Sequence, residues 1–318
     1  MDKKYSYFII NIVLILFSVI PFITTFKCRL YGVDQSSLET TFTEIINSTS
    51  YDRIINLGRV SFSGTATSVK IDNQKYVSTY HTSNSLGVPH YFLLIIDIHT
   101  KSIKLNLTLN EKRDSGSFWQ IAAPNSNEIV GIRESFHAGS SLEVAKINQT
   151  NGLMETIGTY PYGSYSLVMV YASKRRLYYN VIESTFYAVN IDTGKLDINI
   201  RIPNGYTIYA IDYDSVNDRL IALVYSSSIT NGWILTQLTI TAKNEIRFDP
   251  IGKTIIPFEK YLWTTTYTMN TNERLWITIW SIKDSNKNIF IVFNIDTGNI
   301  MEKWETNLNH FSNLVCFD

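Results

Sequence analysis

Few residues of this chain have the types and spacings that support catalysis or metal binding. The 318-residue sequence contains no H-E-x-x-H, G-x-S-x-G, C-x-x-C or glycine-rich phosphate-binding motif, so the sharpest enzyme signatures are missing. Asp212, Asp214 and Asp218 are spaced loosely like calcium ligands, which must bring several oxygens to one ion. No glycine lets this segment wrap an ion, and aspartates also cap hairpin turns. We therefore interpret the three aspartates as turn residues.

Histidines, one acid and tyrosines supply the remaining candidates for ligand binding. An imidazole can act as a metal ligand or a base, and a tyrosine ring with a polar tip suits carbohydrate or protein recognition. The alternatives are exposed loop histidines and tyrosines packed in the core. The candidates are His81, His90, Glu134, His137, Tyr162 and Tyr206.

The composition limits the classes of partner. Lys and Arg number 28 and Asp and Glu number 28, which gives a formal net charge of zero. No overall basic field is therefore available for nucleic acid or an anionic membrane surface. Hydrophobic residues make up 45% and aromatic residues 13% of the chain, which is enough for a large core and argues against disorder.

The N-terminus has the pattern of a secretory signal. Lys3 and Lys4 precede an apolar run over residues 8–20, which Pro21 ends, and this order of basic and apolar regions is typical of signal peptides. Residues 1–27 are therefore predicted to be a signal peptide that directs the chain to the secretory-pathway lumen or the extracellular space. An uncleaved anchor over residues 8–26 is the alternative, because no small-x-small cleavage site follows the run.

Three N-x-[ST] sequons fit that compartment. Asn47, Asn106 and Asn148 each stand two residues before a Ser or Thr, and this is the acceptor pattern for N-glycans. These sequons indicate glycosylation only if the chain is secreted, because a chain rich in Asn, Ser and Thr contains sequons by chance.

The elements that would position these groups come from a repeat. An alternating apolar run, a polar turn often containing Thr-Gly, and a second alternating run return through the chain. This pattern predicts hairpins, because period-two alternation buries one face of a strand and the glycine supplies a left-handed turn residue. The copies cover residues 31–42, 94–105, 144–153, 187–196, 237–246 and 293–300.

The spacing of the repeat predicts a β-propeller. From Asp97 to Asn148, Asp192, Thr241 and Asp296 the steps are 51, 44, 49 and 55 residues, about the length of one four-stranded blade. Residues 28–318 are therefore expected to form one all-β domain of about six blades. Seven blades remain open, because the residues from 51 to 63 are unassigned. A β-sandwich or solenoid is the alternative.

The two ends of the chain are expected to complete one blade together, which would remove exposed sheet edges. The first repeat copy has no preceding hairpin, and residues 313–318 have the pattern of a first strand that then stops. Cys28 and Cys316 would then lie on neighbouring strands. In an oxidising compartment they are predicted to form a disulfide.

The propeller register places most of the candidate residues on one face. His81 and His90 are expected in the connection between the two hairpins of one blade, and Glu134 and His137 in the same connection of the next. We expect a secreted or lumenal propeller that binds a protein or glycan without catalysis. The alternative is a hydrolase, lyase or lactonase with a metal or histidine in the channel. No cofactor is predicted, although Ca²⁺ or Zn²⁺ in the channel remains open.

Two sequence segments resemble the blades of known propeller families. Ile-Asp-Tyr-Asp-Ser-Val-Asn-Asp-Arg-Leu at 211–220 and Asn-Ile-Asp-Thr-Gly-Lys at 190–195 are similar to blades of the YVTN/NHL/YWTD-like and quinoprotein-like superfamilies. The resemblance extends over nearly all of residues 28–318 and implies the fold alone. Vicinal cysteines, which a resemblance to the quinoprotein dehydrogenases would require, are absent from the sequence, so no quinone cofactor is carried over.

Overall fold

The computed structural model is an all-β ring. It describes residues 28–35, 38–46, 50–62, 68–83, 89–109, 115–135, 141–161, 168–227, 232–257, 261–285, 287–306 and 311–318. These residues form 24 β-strands in six four-stranded antiparallel sheets, without an α-helix. Within them, no helical segment could cross a membrane. The predicted six-bladed propeller is confirmed.

Each sheet is one blade, with its strands in antiparallel sequence order. Blade 2 consists of β4 (Ser68–Ile71), β5 (Lys75–Ser83), β6 (Pro89–Asp97) and β7 (Ser102–Thr108), and blade 3 of β8 (Ser115–Asn125), β9 (Glu128–Ser135), β10 (Ser141–Ile147) and β11 (Met154–Pro161). Blade 4 consists of β12 (Val168–Ala172), β13 (Leu177–Ile182), β14 (Thr185–Asn190) and β15 (Leu196–Arg201). Blade 5 consists of β16 (Tyr206–Asp214), β17 (Arg219–Ser226), β18 (Gly232–Ile240) and β19 (Ile246–Pro257), and blade 6 of β20 (Tyr261–Asn270), β21 (Leu275–Ile282), β22 (Asn288–Asn294) and β23 (Ile300–Thr306).

Blade 1 is shared by the two ends of the described chain. It consists of β1 (Arg29–Asp34), β2 (Thr40–Ile45), β3 (Tyr51–Gly58) and, as its first strand, β24 (Phe311–Phe317). β24 pairs antiparallel with β1, with Leu30 opposite Cys316. The predicted closure is therefore confirmed: the N-terminal part of the described chain supplies three strands of blade 1, and the C-terminal part supplies one. The previously unassigned stretch supplies β3, which fixes the count at six blades.

Six inner strands surround the central channel: β4, β8, β12, β16, β20 and β24. Each of them contacts the inner strands of both neighbouring blades, so the ring is continuous. The hydrophobic core follows this arrangement and divides into six clusters, one between each pair of adjacent blades. A propeller has no single core, because every blade buries its two faces against two neighbours.

Both faces of the second and third strands are buried, which differs from the one-sided burial that the alternation predicts. In β17, Ala222 and Val224 pack toward blade 4, whereas Ile221 and Leu223 pack toward blade 6. The outermost strands are more exposed along their length, as in β7 and β15. The second and third strands, such as β17 and β18, are buried along most of their length.

The Thr-Gly turns have a second role beyond turning the chain. In blade 4, Asn190 Oδ1 accepts hydrogen bonds from the N–H groups of Asp192 and Thr193 at 2.9 and 3.1 Å. Gly194 follows at φ 66°, and its Cα lies against the backbone of Ile157 and Gly158 in β11 of blade 3. A side chain at Gly194 would overlap the Ile157 carbonyl oxygen, so this turn needs glycine for both conformation and close packing.

Covalent and polar contacts fasten the closing blade. Cys28 and Cys316 form a disulfide with their Cα atoms 5.6 Å apart, a normal separation for a bonded pair; the predicted pairing is confirmed. Next to it, Asn73 in the β4–β5 turn of blade 2 accepts a hydrogen bond from Asp318 N at 2.9 Å and donates one to Asp318 O at 2.9 Å. Asn270 of blade 6 donates to Asp318 Oδ1 at 2.9 Å. Asp318 therefore joins blades 2 and 6 across the closure.

Candidate functional site

The propeller has two different faces. The turn face carries the turns within the first and second hairpins of each blade, together with Cys28 and Asp318. The connection face carries the links between the two hairpins of a blade and the links between blades. It is bordered by strand ends such as Ser83 in β5 and Tyr206 in β16. The candidate residues from the sequence belong to this connection face.

Ion pairs concentrate on the turn face and join neighbouring blades. Asp214, at the end of β16, has a fully buried side chain and accepts from Arg219 Nε at 2.8 Å and from Arg274 Nη2 at 2.7 Å. Arg274 lies in the β20–β21 turn of blade 6, where it also pairs with Asp296. Burial alone would raise the pKa of the Asp214 carboxyl, but hydrogen bonds from Arg274 and Arg219 outweigh it and hold that pKa well below its usual range.

The same arrangement recurs between other blades. Arg176 of blade 4 pairs with Asp192 of its own blade and with Glu128 of blade 3. Arg175 pairs with Asp218 of blade 5 at 2.8 Å. These arginines are held by acidic partners within the ring, and therefore this face uses much of its charge to hold the blades together.

His81 and His90 lie near each other in the chain but point to opposite sides of blade 2. They were expected in a connection, and the structure instead places them in β5 and β6. His81 pairs across the ladder with Tyr91, whereas His90 pairs with Thr82, and adjacent pairs of a ladder face opposite sides. The structure does not bring the two imidazoles together.

The two histidines also differ in exposure. His90 is exposed. His81 is half-buried, its ring centroid lies 5.7 Å from that of Tyr91, and its Nδ1 has no hydrogen-bond partner in the described part of the chain. Burial lowers the pKa of His81, so its neutral form is favoured. His90 is the imidazole that a partner on the connection face can reach.

The tyrosine candidates fall into two groups. Tyr206 begins β16, not a connection, and its ring stacks on Phe248 with centroids 4.4 Å apart. Its described contacts are therefore packing contacts, and a role in recognition stays a prediction. Tyr162 lies outside the described residues.

The acid and sequon candidates are only partly described. Glu134 lies in β9 opposite Leu142, but its side chain is outside the description, as are His137 and Asn47. Asn106 is exposed on β7, where its Oδ1 accepts from Tyr80 Oη at 2.8 Å. Asn148 is exposed in the β10–β11 turn, with its Oδ1 accepting from Thr150 N at 2.8 Å. Glycosylation of these asparagines stays a prediction.

A cavity of about 190 Å³ occupies the central channel. Residues from all six inner strands line it, including Lys70, Gln120, Asp212 and Tyr267. Among the residues that the structure describes, no three His, Cys, Asp or Glu side chains converge as metal ligands. The polar side-chain groups of the lining are thus a carboxyl, an amide, a phenol, an amine and the hydroxyls of Ser68 and Thr268.

Asp212 is the channel residue that the sequence interpretation placed wrongly. The interpretation as a turn residue with Asp214 and Asp218 is wrong for Asp212, which lies inside β16 and lines the channel. Its Oδ1 accepts from Tyr213 N at 2.8 Å. Burial raises the pKa of Asp212 to about 7, with a smaller opposing effect from the hydrogen bond of Tyr213 N. In the sequence, Asp212 stands two residues before the end of the strand, and this position was the signal that its side chain belongs to the strand and not to the turn.

The comparisons with known proteins agree on architecture. No protein-family model matches the chain, and no curated protein is similar to it in sequence. TolB from Acinetobacter baumannii is 9% identical over 96% of this chain and 70% of TolB, with a TM-score of 0.58. A Bacteroides caccae protein of unknown function is 8% identical over 91% of this chain and 98% of that protein, with a TM-score of 0.54.

A candidate 6-phosphogluconolactonase from Bacteroides fragilis is 11% identical over 94% of this chain and all of that protein, with a TM-score of 0.52. These identities are too low to transfer function, because one fold hosts many activities. What the chain shares with these proteins is the β-propeller fold, which confirms the fold-level resemblance drawn from its blade sequences.

Proposed function

We propose that this protein is an extracytoplasmic β-propeller that binds a protein or glycan partner through its connection face and does not catalyse a reaction. The observation that carries this proposal is the asymmetry of the two faces. The disulfide and the described inter-blade ion pairs, such as that of Arg176 with Glu128, lie on the turn face. The connection face therefore lies on the side of the ring opposite the disulfide and these ion pairs.

The exposed residues at the connection face suit partner recognition. Leu38, between β1 and β2, is 81% exposed, and the imidazole of His90 is exposed on β6. Links on a rigid ring can vary without disturbing the strands, which is why binding groups accumulate there. TolB from Acinetobacter baumannii and the lactonase candidate from Bacteroides fragilis share the scaffold with this chain, and neither likeness selects a partner.

Site-specific photocrosslinking tests the face that binds. A benzoylphenylalanine replaces His90 or Leu38 on the connection face, or Lys243, which is exposed in the β18–β19 turn on the other face. The proposal expects discrete adducts in the secretory pathway from His90 and Leu38, suppressed by excess unlabelled protein, and none from Lys243. Adducts from Lys243 alone, or equal adducts from both faces, would contradict it.

A glycan partner is tested separately by binding of the purified protein to immobilised oligosaccharides. Retention that is lost in His90→Ala but kept in Lys243→Ala supports a glycan site on the connection face. If no oligosaccharide is retained and no crosslink forms at His90 or Leu38, the proposed binding function is wrong.

The compartment rests on the buried disulfide, because such bonds persist in oxidising compartments. Expressed in a eukaryotic cell, the protein should carry N-glycans, and a variant with Asn106→Gln and Asn148→Gln should lose the corresponding mass. Cytosolic fractionation with reduced cysteines and no glycan would contradict an extracytoplasmic location.

A further inference from the structure

The carboxyl group in the lining of the central channel has no matching positive charge among the described residues. Asp212 lines the cavity, and its Oδ1 accepts a hydrogen bond from Tyr213 N at 2.8 Å. In the described ranges it forms no ion pair. Asp212 is half-buried, and an unpaired carboxylate that is partly removed from water is costly, so this position favours either a proton or a cation.

The cations of the turn face have other partners. Lys70 lines the same cavity, but its Nζ lies 3.3 Å from Asp318 Oδ2. Arg219 and Arg274 pair with Asp214 and Asp296. None of these described cations is therefore available to neutralise the ionised Asp212, and a cationic ligand would supply the missing charge.

Gln120 provides a second acceptor in the channel lining. Its side chain is 7% exposed, and its Nε2 donates to the Met169 carbonyl oxygen at 3.0 Å. Its Oε1 has no hydrogen-bond partner among the described residues. Because buried acceptors are normally satisfied, this oxygen is a second indication that a donor is missing from the site.

The rest of the lining sets the size and character of the missing group. Met169, Met269 and Tyr267 contribute soft apolar walls and an aromatic ring. A cavity of about 190 Å³ has the volume of about six water molecules. It accommodates a short aliphatic body with one charged head.

We propose that the central channel binds a small primary alkylammonium ion, with Asp212 as its counter-ion and Gln120 Oε1 as a hydrogen-bond acceptor. The ammonium group supplies both the charge that Asp212 lacks and the N–H donors that the two acceptors need. The site is separate from the connection face, and its test does not depend on the proposed partner.

Calorimetric titration of the full chain at pH 8 tests the site with n-butylammonium chloride. The proposal expects saturable binding to the wild type and at least tenfold weaker binding to Asp212→Asn, which keeps the side-chain size. Gln120→Leu should weaken binding several-fold. Asp52→Asn removes an exposed carboxylate from β3 and should leave the affinity unchanged.

Neutral n-butanol separates charge recognition from filling of an apolar cavity. It should bind at least tenfold more weakly than n-butylammonium to the wild type. Equal affinity for the alcohol, equal loss in Asp52→Asn, or no saturable ammonium binding would overturn the proposal. Far-UV circular dichroism of each variant checks that the ring is folded. If the Asp212→Asn variant does not fold, Gln120→Leu tests the site independently.

Discussion

Asp212 is a carboxyl group whose charged form the fold disfavours. Folding raises its pKa to about 7, chiefly through burial in the channel wall, whereas an unfolded Asp titrates near about 3.9. Between about pH 4 and pH 7 the folded protein therefore holds a proton that the unfolded chain has released. The contribution of this group to the free energy of unfolding falls as pH rises through that window.

Asp212→Asn should remove this decline. The wild type is expected to lose up to about 1.4 kcal/mol per pH unit from this group across the window, and the Asn variant should be the more stable protein at pH 8. Urea denaturation of both proteins at pH 5, 6, 7 and 8 measures the difference, with Asp52→Asn as the surface control. A difference that does not grow with pH would contradict the raised pKa.

At the scale of the elements, each tight turn is also a contact between blades. Gly194 packs on blade 3, and Gly298 of blade 6 packs in the same manner on Ile251 of blade 5. The recurrence of glycine in these turns thus reflects the spacing between blades as well as the left-handed conformation.

Gly194→Ala should be more destabilising than a substitution at a glycine that only needs a positive φ. Gly58 has φ 76°, and nothing lies within 4 Å of an added Cβ there. Gly58→Ala is expected to cost about 1–2 kcal/mol from conformation, and Gly194→Ala should add a steric clash with the Ile157 carbonyl to a similar conformational cost. Thermal and urea unfolding measure the stability of the two variants. An equal loss of stability would show that the spacing between blades does not require glycine at position 194.

The Asp214 ion pairs are also an element-scale feature, because they join blades 5 and 6. Asp214→Asn leaves two largely buried guanidinium groups with Asp296 as their remaining carboxylate partner, and breaking the buried pairs should cost about 3–5 kcal/mol at pH 7. Asp249→Asn, which breaks an exposed pair with Arg247 on β19, should cost about 1 kcal/mol or less. Urea denaturation gives both values, and similar losses for the two variants would contradict the blade-joining role.

At the scale of the whole molecule, stability depends on closing the ring. The disulfide links residues separated by 288 positions, and the chain-entropy model assigns such a loop about 5.7 kcal/mol. The double variant Cys28→Ser and Cys316→Ser should keep its β-sheet spectrum, because β24 still pairs with β1, but should unfold at a lower urea concentration. The reduced wild type should match it, and an unchanged midpoint in both would show that the bond adds nothing to closure.

Local patterns in the sequence determined the secondary structure, the blade period and the closure. Hydrophobic alternation and turn residues reflect interactions between residues that are close in the chain. The spacing of the turns from Asp97 to Asp296 therefore reveals the blade period directly. The pairing of Cys28 with Cys316 followed from the same reasoning, since closing the ring must bring the chain ends together. The sequence located the candidate residues of the connection face only approximately, because the ends of an alternating pattern do not show where a strand ends.

Tertiary structure alone decided which side chains meet. Asp212 and Asp214 stand two residues apart, yet one lines the channel and the other is buried between two arginines. His81 and His90 share a hairpin but face opposite sides of it. Their environments depend on neighbouring blades that lie dozens of residues away in the chain. The sequence therefore determined the propeller, and the packing of its blades determined the chemistry of each side chain.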